Sequence, residues 1–323
     1  MTLYIIRRFI QALFIVWAVL TVTFILLQLA PGDPASMYIR PEIDPQTIEN
    51  IREQMGLNQP VFVQYFIWLK AFLTGNFGFS FSHMRPVVNI FAEAIPNTLQ
   101  LTTVVFIVQI IGGVLLGMAL AIVKMRCIRF ALNSFLLISY STPGFLIAII
   151  ALWIFSVQLE WLPPSHMQSL LYEGTSWALF FDRIKHLILP AGVLSLPAMA
   201  YTAKIFYASY TDVLAQDYIR TARAYGLPRR SVLFKYALRN ALLPLVSSLG
   251  LFLPFLFGGT VIIESIFSWP GMGKLTVDAI FSHDFPIILA TTFIAAFSVV
   301  LGNFLADVAY LFIDPRVKPA YEV

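Results

Sequence analysis

The sequence predicts an all-α integral membrane protein with six transmembrane helices and both termini on the cytoplasmic side. Three observations carry that expectation. The chain of 323 residues is 59% hydrophobic and 12% charged, where soluble domains carry roughly 25% charged residues, and its mean hydropathy is +0.81. Apolar runs long enough to cross a bilayer recur along the chain. The basic residues that give the net charge of +4 are divided unevenly among the loops between those runs; in a membrane protein they report orientation before they report any affinity for nucleic acid.

A spanning helix needs about 20 mostly apolar residues, because its backbone must satisfy its own hydrogen bonds in hydrocarbon. Six stretches qualify: 9–30, 98–123, 131–158, 187–209, 240–264 and 285–313. The first, Phe9 to Ala30, follows Arg7 and Arg8. Its 22 residues exceed a signal-peptide core, and "QLAPGDP" is a poor cleavage site, so it reads as a retained span.

Sorting Lys and Arg by alternate loops gives the topology. Arg7, Arg8, Lys124, Arg126, Arg129, Lys204, Arg220, Arg223, Arg229, Arg230, Lys235, Arg239, Arg316 and Lys318 make 14 on one side. The other side has 7 across longer loops: Arg40, Arg52, Lys70, Arg85, Arg183, Lys185 and Lys274. The positive-inside rule puts the first set in the cytoplasm. The expected organisation is then a helix at 1–30, an external loop at 31–97, a core at 98–313 containing a cytoplasmic loop at 210–239, and a tail at 314–323.

The external loop has helical patterning of its own. "PQTIENIREQMGL" places Ile48, Ile51 and Met55 on one helical face, and "PVFVQYFIWLKAFL" is an aromatic-rich amphipathic helix suited to an interface. Two readings fit this loop: a cap over the bundle mouth, or a helix on the lipid surface. Later loops are short and basic (124–130), rich in Trp, Pro and Gly (159–186), or turn-like (265–284).

Several spans are interrupted. Pro143-Gly144, Pro190 with Pro197, and Pro244 with Pro254 lie inside apolar runs, where proline removes a donor and kinks the helix, as in helices that line a cavity. Gly113 and Gly117 form a small-xxx-small pair that admits a close helix neighbour, within the fold or at a subunit contact. Glu264, Asp278 and Asp307 approach or enter spans. Asn303 sits four residues before Asp307 on one helical face, which fits either a polar patch on a translocation path or a helix–helix hydrogen bond. Ser247 and Pro254 join Asn303 and Asp307 as candidate path residues.

Catalytic patterns are missing. Neither GxSxG nor HExxH occurs, and the four histidines are far apart in sequence. "PGMGKLT" lacks the earlier glycine of a phosphate loop and has Leu275 where Ser or Thr should follow Lys274. The single cysteine, Cys127, permits no intrachain disulfide and no cysteine metal cluster. No metal site and no resident cofactor are expected.

One cytoplasmic stretch stands apart: "DYIRTARAYGLPRRSVLFKYALRN", residues 217–240. Small residues Thr221, Ala222 and Ala224 precede a Gly226-Leu227-Pro228 break and then a second helical run. A lipid anchor would need a broad apolar face, which those small residues do not supply. Two short helices with a forced turn make a rigid docking knob.

This segment resembles the coupling loop of permease subunits of ATP-binding-cassette importers, whose general pattern is Glu-Ala-Ala, three residues, Gly, then a later Ile-x-Leu-Pro. Arg220 stands where that pattern has Glu, Leu243-Pro244 comes five residues later than its spacing, and Tyr225 replaces a usual Lys. The form found here is that of the peptide and nickel subfamily. "YIIRRF…LAPGDP", "GLNQPVFVQYFIWL", "GNFGFSF", "PNTLQLT", "WLPP", "HLILPAGVLSLP", "VIIESIFSWPGMGKLTVDAI", "DFP" and "IDPR" extend the resemblance over nearly the whole chain. They are similar to the first permease subunit of dipeptide and oligopeptide importers.

The resemblance implies a type I importer permease fold in the inner membrane, and a non-catalytic subunit of a peptide transporter. It implies a second, similar permease, two cytoplasmic ATPase subunits that use ATP and Mg, an external solute-binding protein, surrounding lipid, and no nucleic acid. Coupling to an ATPase would fall on Asp217, Tyr218, Arg220, Thr221, Ala222, Arg223, Ala224, Gly226 and Arg229. The binding protein would meet Phe77, Phe79, Trp269 and Pro270 on the external side. The same machinery could import nickel chelates or oligosaccharides. A carrier working alone would instead need mid-membrane carboxylates and an internal repeat, and neither is evident; a purely structural scaffold would need neither kinked spans nor a knob.

Overall fold

The computed structural model describes residues 2–29, 58–169, 176–245 and 260–313, and all structural statements below concern these residues. Four helices are long and apolar enough to cross a membrane, and a bent pair raises the number to five. Helix α1 spans Thr2–Leu29. The segment before the next long helix contributes helix α2, Val61–Leu73, and a short hairpin of β1, Phe79–Ser80, and β2, Arg85–Pro86. Their antiparallel register pairs Phe79 with Pro86 and Ser80 with Arg85.

Helix α3, Val87–Ile122, and helix α6, Ser176–Leu214, form the principal helix pair. Both run without a break through their prolines, Pro96 in one and Pro190 and Pro197 in the other. The pair is close because glycine lines it. A Cβ on Gly113 would lie 2.6 Å from the Thr202 methyl, and one on Gly117 would lie 2.5 Å from the Ala203 carbonyl oxygen. The small-residue pair thus serves packing within the fold, where dispersion rather than water exclusion holds helices together in lipid. Across the same interface the buried Gln109 donates to Thr202 Oγ1 at 3.3 Å.

The expected single span at 131–158 is two helices, not one kinked helix. Helix α4, Arg126–Ser141, and the segment Gly144–Gln158 diverge by 107°. That segment begins as helix α5, Gly144–Leu152, and relaxes into a π turn at Trp153–Gln158. Pro143 explains the break: its ring excludes the residue before it from the helical region, and Thr142 is extended at φ −86°, ψ 130°.

After α6 come α7, Asp217–Ala224, and α8, Arg229–Ser231. A π turn at Val232–Ala237 then leads into α9, Leu238–Ala241. Residues 246–259, the centre of the expected fifth span, lie outside the described residues, as do Ser247 and Pro254 and the expected helix at 45–57. The region 265–284, expected as turn, is largely helical: α10, Val261–Ile266, is followed by α11, Met272–Phe281. The final helix, α12, spans Phe285–Ile313.

One apolar core lies beside the β1–β2 hairpin, where Leu20 of α1, Phe72 of α2, Val87, Ile90 and Phe91 of α3, Leu275 of α11 and Ile287 of α12 meet. A second lies under the loop at 210–239, combining Met118, Phe206, Tyr210, Ile219, Val232 and Leu245. Each core sits beneath one of the two surfaces that concern function.

Candidate coupling knob and external clamp

Helix α7 is only eight residues long, too short to persist in water without tertiary anchors. Its anchors are Ile219, fully buried, and Ala222, 7% exposed. They stand three positions apart on one face, against Phe206, Tyr210 and Val232. Burying Ile219 contributes on the order of 1.5–3 kcal/mol. Asp217 in the first turn and Arg223 in the last complement the helix dipole.

The turn after α7 is built by its backbone. Tyr225 N–H donates to the Thr221 carbonyl, Gly226 N–H to Arg223 and Leu227 N–H to Ala222. Gly226 adopts φ +75°, the left-handed position that commonly ends a helix and that glycine enters without strain. Three further bonds fix the knob to its base. Asn240 Nδ2 donates to Tyr218 Oη at 2.9 Å, Tyr210 Oη to the Leu233 carbonyl at 3.2 Å, and Ser209 Oγ to the Ala241 carbonyl at 3.0 Å.

The outward face therefore consists of Asp217, Tyr218, Arg220, Thr221, Arg223, Ala224, Tyr225, Gly226 and Arg229, all exposed. Ala222 differs from the other sequence candidates because it faces the bundle and positions the helix. Arg220 and Asp217 form an ion pair at 3.3 Å, but their exposure leaves it little energy. The guanidinium groups of Arg220, Arg223 and Arg229 are exposed.

At the other end, the buried carboxylate of Glu264 organises the link between α10 and α11. Its Oε1 accepts from Thr98 Oγ1 at 2.9 Å, and its Oε2 from Gly273 N at 2.7 Å and Lys274 N at 3.2 Å. Thr98 Oγ1 in turn accepts from Met272 N at 2.8 Å. The first N–H groups of a helix lack intrahelical partners, and here a carboxylate and a hydroxyl satisfy them with favourable dipole alignment. A Cβ on Gly271 would lie 2.4 Å from Glu264 Oε2, and one on Gly273 would lie 2.6 Å from Val261 Cα. Those two glycines are what the phosphate-loop-like "PGMGK" provides, and the amides a phosphate would need are already engaged.

Asp284 makes a second clamp. Fully buried, it accepts at Oδ2 from Ser80 Oγ at 2.6 Å, Ser82 N at 2.9 Å and Ser82 Oγ at 2.7 Å. It thereby fastens the β1–β2 hairpin to the start of α12. Around it Phe77 packs edge-on to Phe72 at 5.2 Å and tilted against Phe293 at 5.8 Å. Helix α2 attaches through Thr21 and Tyr65, whose hydroxyls are 2.7 Å apart, and through Phe24 tilted against Trp68 at 5.3 Å. Phe62 and Phe66 on its other side remain exposed.

The four external sequence candidates separate accordingly. Phe79 and Pro270 are exposed, whereas Phe77 is partly buried and Trp269 is fully buried. Trp269 donates its indole N–H to the Asn97 carbonyl at 2.9 Å, and Asn97 Nδ2 donates to the Pro270 carbonyl at 2.9 Å. In this conformation Trp269 holds the loop from beneath instead of presenting a surface. Sequence reasoning noted Glu264 only as a carboxylate near a span and missed Asp284; two glycines within three residues beside Trp-Pro were the available signal.

Of the path candidates, Asn303 is exposed in a groove between α1 and α12, lined also by Arg8, Gln11, Phe14 and Val300. The side chain of Asp307 lies outside the described residues. Among the described residues no group of three or more His, Cys, Asp or Glu is placed to hold a metal ion.

Comparison with known proteins gives consistent matches over both halves of the chain. Residues 113–319 match the family described as binding-protein-dependent transport system inner membrane component. Residues 1–102 match the N-terminal family of binding-protein-dependent transport system membrane components. The chain is 40% identical over 319 residues to the oligopeptide transport system permease protein AppB of Bacillus subtilis (strain 168), covering 98% of this chain and 100% of that one. It is 37% identical to the probable peptide ABC transporter permease protein y4tP of Sinorhizobium fredii, covering 98% and 100%. A putative peptide permease protein of Brucella suis is 36% identical, with 98% of each covered.

Proposed function

The chain belongs to the family of inner membrane components of binding-protein-dependent transport systems, and from that premise we propose that it forms half of a translocation path for di- and oligopeptides. A solute-binding protein delivers the peptide from outside, and a second, similar permease supplies the other half. Two cytoplasmic ATPases hydrolyse ATP with Mg; this chain contributes no catalytic group of its own.

The observation that supports this reading is the two-sided construction of α7. Ile219 and Ala222 are anchored in the cytoplasmic core while Arg220, Arg223 and Arg229 face outward. A rigid helix tied to long spans can transmit movement, whereas a loose basic loop cannot. ATP then acts as a ligand that shifts the bundle between two packings, inward-open and outward-open, through this knob. Both termini and the knob lie in the cytoplasm in this reading, as the basic residues indicate.

On the external side, the exposed Phe79 and Pro270 meet the binding protein, with Phe77 and Trp269 supporting them from below. Asn303 and Asp307, with Ser247 and Pro254 of the fifth span, are proposed as polar or kinked lining of the path.

The test is affinity purification of the tagged chain from its native membrane, followed by reconstitution. Recovery of a second permease, ATPases and a binding protein, with peptide uptake driven by ATP, is the expected result. A chain recovered alone that moves solute without ATP would overturn the reading.

A further inference from the structure

The break between α4 and α5 stands beside a polar strip that neither the knob nor the clamps explain. On α4, Asn133 and Tyr140 are two turns apart on one face, and on α6, Tyr201 and Lys204 are one turn apart. All four are exposed. Tyr140 and Tyr201 stack with ring centroids 6.2 Å apart and planes at 20°. Lys204 Nζ donates to Asn133 Oδ1.

The strip lies on helices read here as crossing the membrane. Counted from the basic end of α4 at Arg126, a rise of 1.5 Å per residue puts Asn133 about 10 Å in and Tyr140 about 21 Å in. A cation, an amide and two phenols on that line are costly in hydrocarbon and mark water-filled cavities or protein contacts. The backbone leads to the same inference, because a helix break at membrane depth is tolerated only where it is covered by protein or borders water. The Ile138 carbonyl accepts from Thr142 N–H and Oγ1, but Pro143 has no N–H to offer the Ser139 carbonyl one position later, so the final turn of α4 keeps acceptors.

We propose that this strip lines the translocation path and receives the passing peptide: the carboxylate end at Lys204, the side chains along the Tyr140–Tyr201 stack, and the amino end near the last carbonyls of α4. The inference rests on the peptide-permease reading above and assigns residues within it. The chemistry is complementary to a zwitterion, with a cation for the carboxylate, acceptors for N–H groups and aromatic faces that tolerate varied side chains. From Asn133 to Thr142 is nine residues, about 14 Å of helix, which an extended peptide of about four residues would span.

The test uses the assembled complex in proteoliposomes. Because Cys127 is exposed, Cys127→Ser provides the background for Tyr140→Cys and Tyr201→Cys, which are treated with a charged, membrane-impermeant thiol reagent. Labelling in one nucleotide state, slowed by a tetrapeptide with its binding protein, is expected. No labelling in any nucleotide state would mean that lipid or a partner helix covers the strip, and would overturn the inference alone.

Lys204→Gln gives an independent readout, the uptake ratio of a tetrapeptide with a free carboxylate to its C-terminal amide. That ratio is expected to fall about tenfold with loss of a charge-assisted bond, and it does not depend on how much variant folds. An unchanged ratio would overturn the carboxylate assignment. A wild-type complex that imports neither peptide would overturn the peptide-permease reading itself, and this inference with it.

Discussion

Glu264 accepts a hydrogen bond from Thr98 at 2.9 Å across 166 residues of sequence, with both side chains buried. That contact ties α3, about three turns after its start at Val87, to the α10–α11 link that precedes the last helix. It is part of a closed set, since the remaining carboxylate oxygen takes Gly273 N and Lys274 N and the hydroxyl takes Met272 N.

Removing the carboxylate should therefore cost more than removing the hydroxyl. Glu264→Ala strands three donors, and Thr98→Val strands one acceptor site and one amide; each stranded buried group costs about 1–3 kcal/mol. Thermal unfolding of the detergent-solubilised protein, followed by size-exclusion chromatography, should rank wild type, then Thr98→Val, then Glu264→Ala in falling midpoint. Equal midpoints would sink the clamp.

The glycines beside it give a steric comparison. Gly273→Ala brings a methyl to 2.6 Å from Val261 Cα, while Gly144→Ala meets nothing within 4 Å. The first should lose on the order of 1–3 kcal/mol as an overpacked site, and the second should be near neutral. The same unfolding assay decides it, and a Gly144→Ala variant as unstable as Gly273→Ala would contradict the packing described.

At the hairpin, Asp284→Asn keeps the shape but loses the charge that accepts from Ser80 and Ser82. Hydrogen exchange across residues 79–86 should accelerate by about tenfold or more, as expected when a buried charge-assisted network loses roughly 1.4 kcal/mol or more. Exchange elsewhere should change little.

For the knob, charge and anchoring can be separated. Arg223→Glu reverses an exposed charge, so the protein should insert normally and lose no more than about 1 kcal/mol of helix-end electrostatics, while ATP hydrolysis no longer drives uptake. Ile219→Ala opens a cavity beneath α7 and should cost about 2–5 kcal/mol, lowering the unfolding midpoint as well as coupling. Normal uptake by Arg223→Glu would remove this residue from the coupling surface.

The turn after α7 isolates a backbone effect. Gly226 is at φ +75° with nothing within 4 Å of an added Cβ, so Gly226→Ala should cost only the left-handed strain of about 1 kcal/mol. Gly226→Asn should recover part of it, because Asn tolerates that region. Binding of the ATPases, measured by co-purification, should follow the order Gly, Asn, Ala.

The sequence by itself determined the class of the protein, most of its spans and the place of the turn that divides the knob. Those properties depend on residues contiguous in sequence: apolar runs of bilayer length, basic loops, and the Gly226-Leu227-Pro228 break. Hydrocarbon reinforces the legibility, since it forces each spanning backbone to satisfy itself.

Only the tertiary structure decided that Ala222 faces inward while Arg223 faces outward, that Trp269 is buried beneath Pro270, and that the apolar run at 131–158 turns through 107°. It alone paired Glu264 with Thr98, Asp284 with Ser80, and Tyr140 with Tyr201. The physical reason is distance along the chain. A buried carboxylate or an aromatic stack is specified by partners tens to hundreds of residues away, and no local period records which distant donor or ring will arrive beside it.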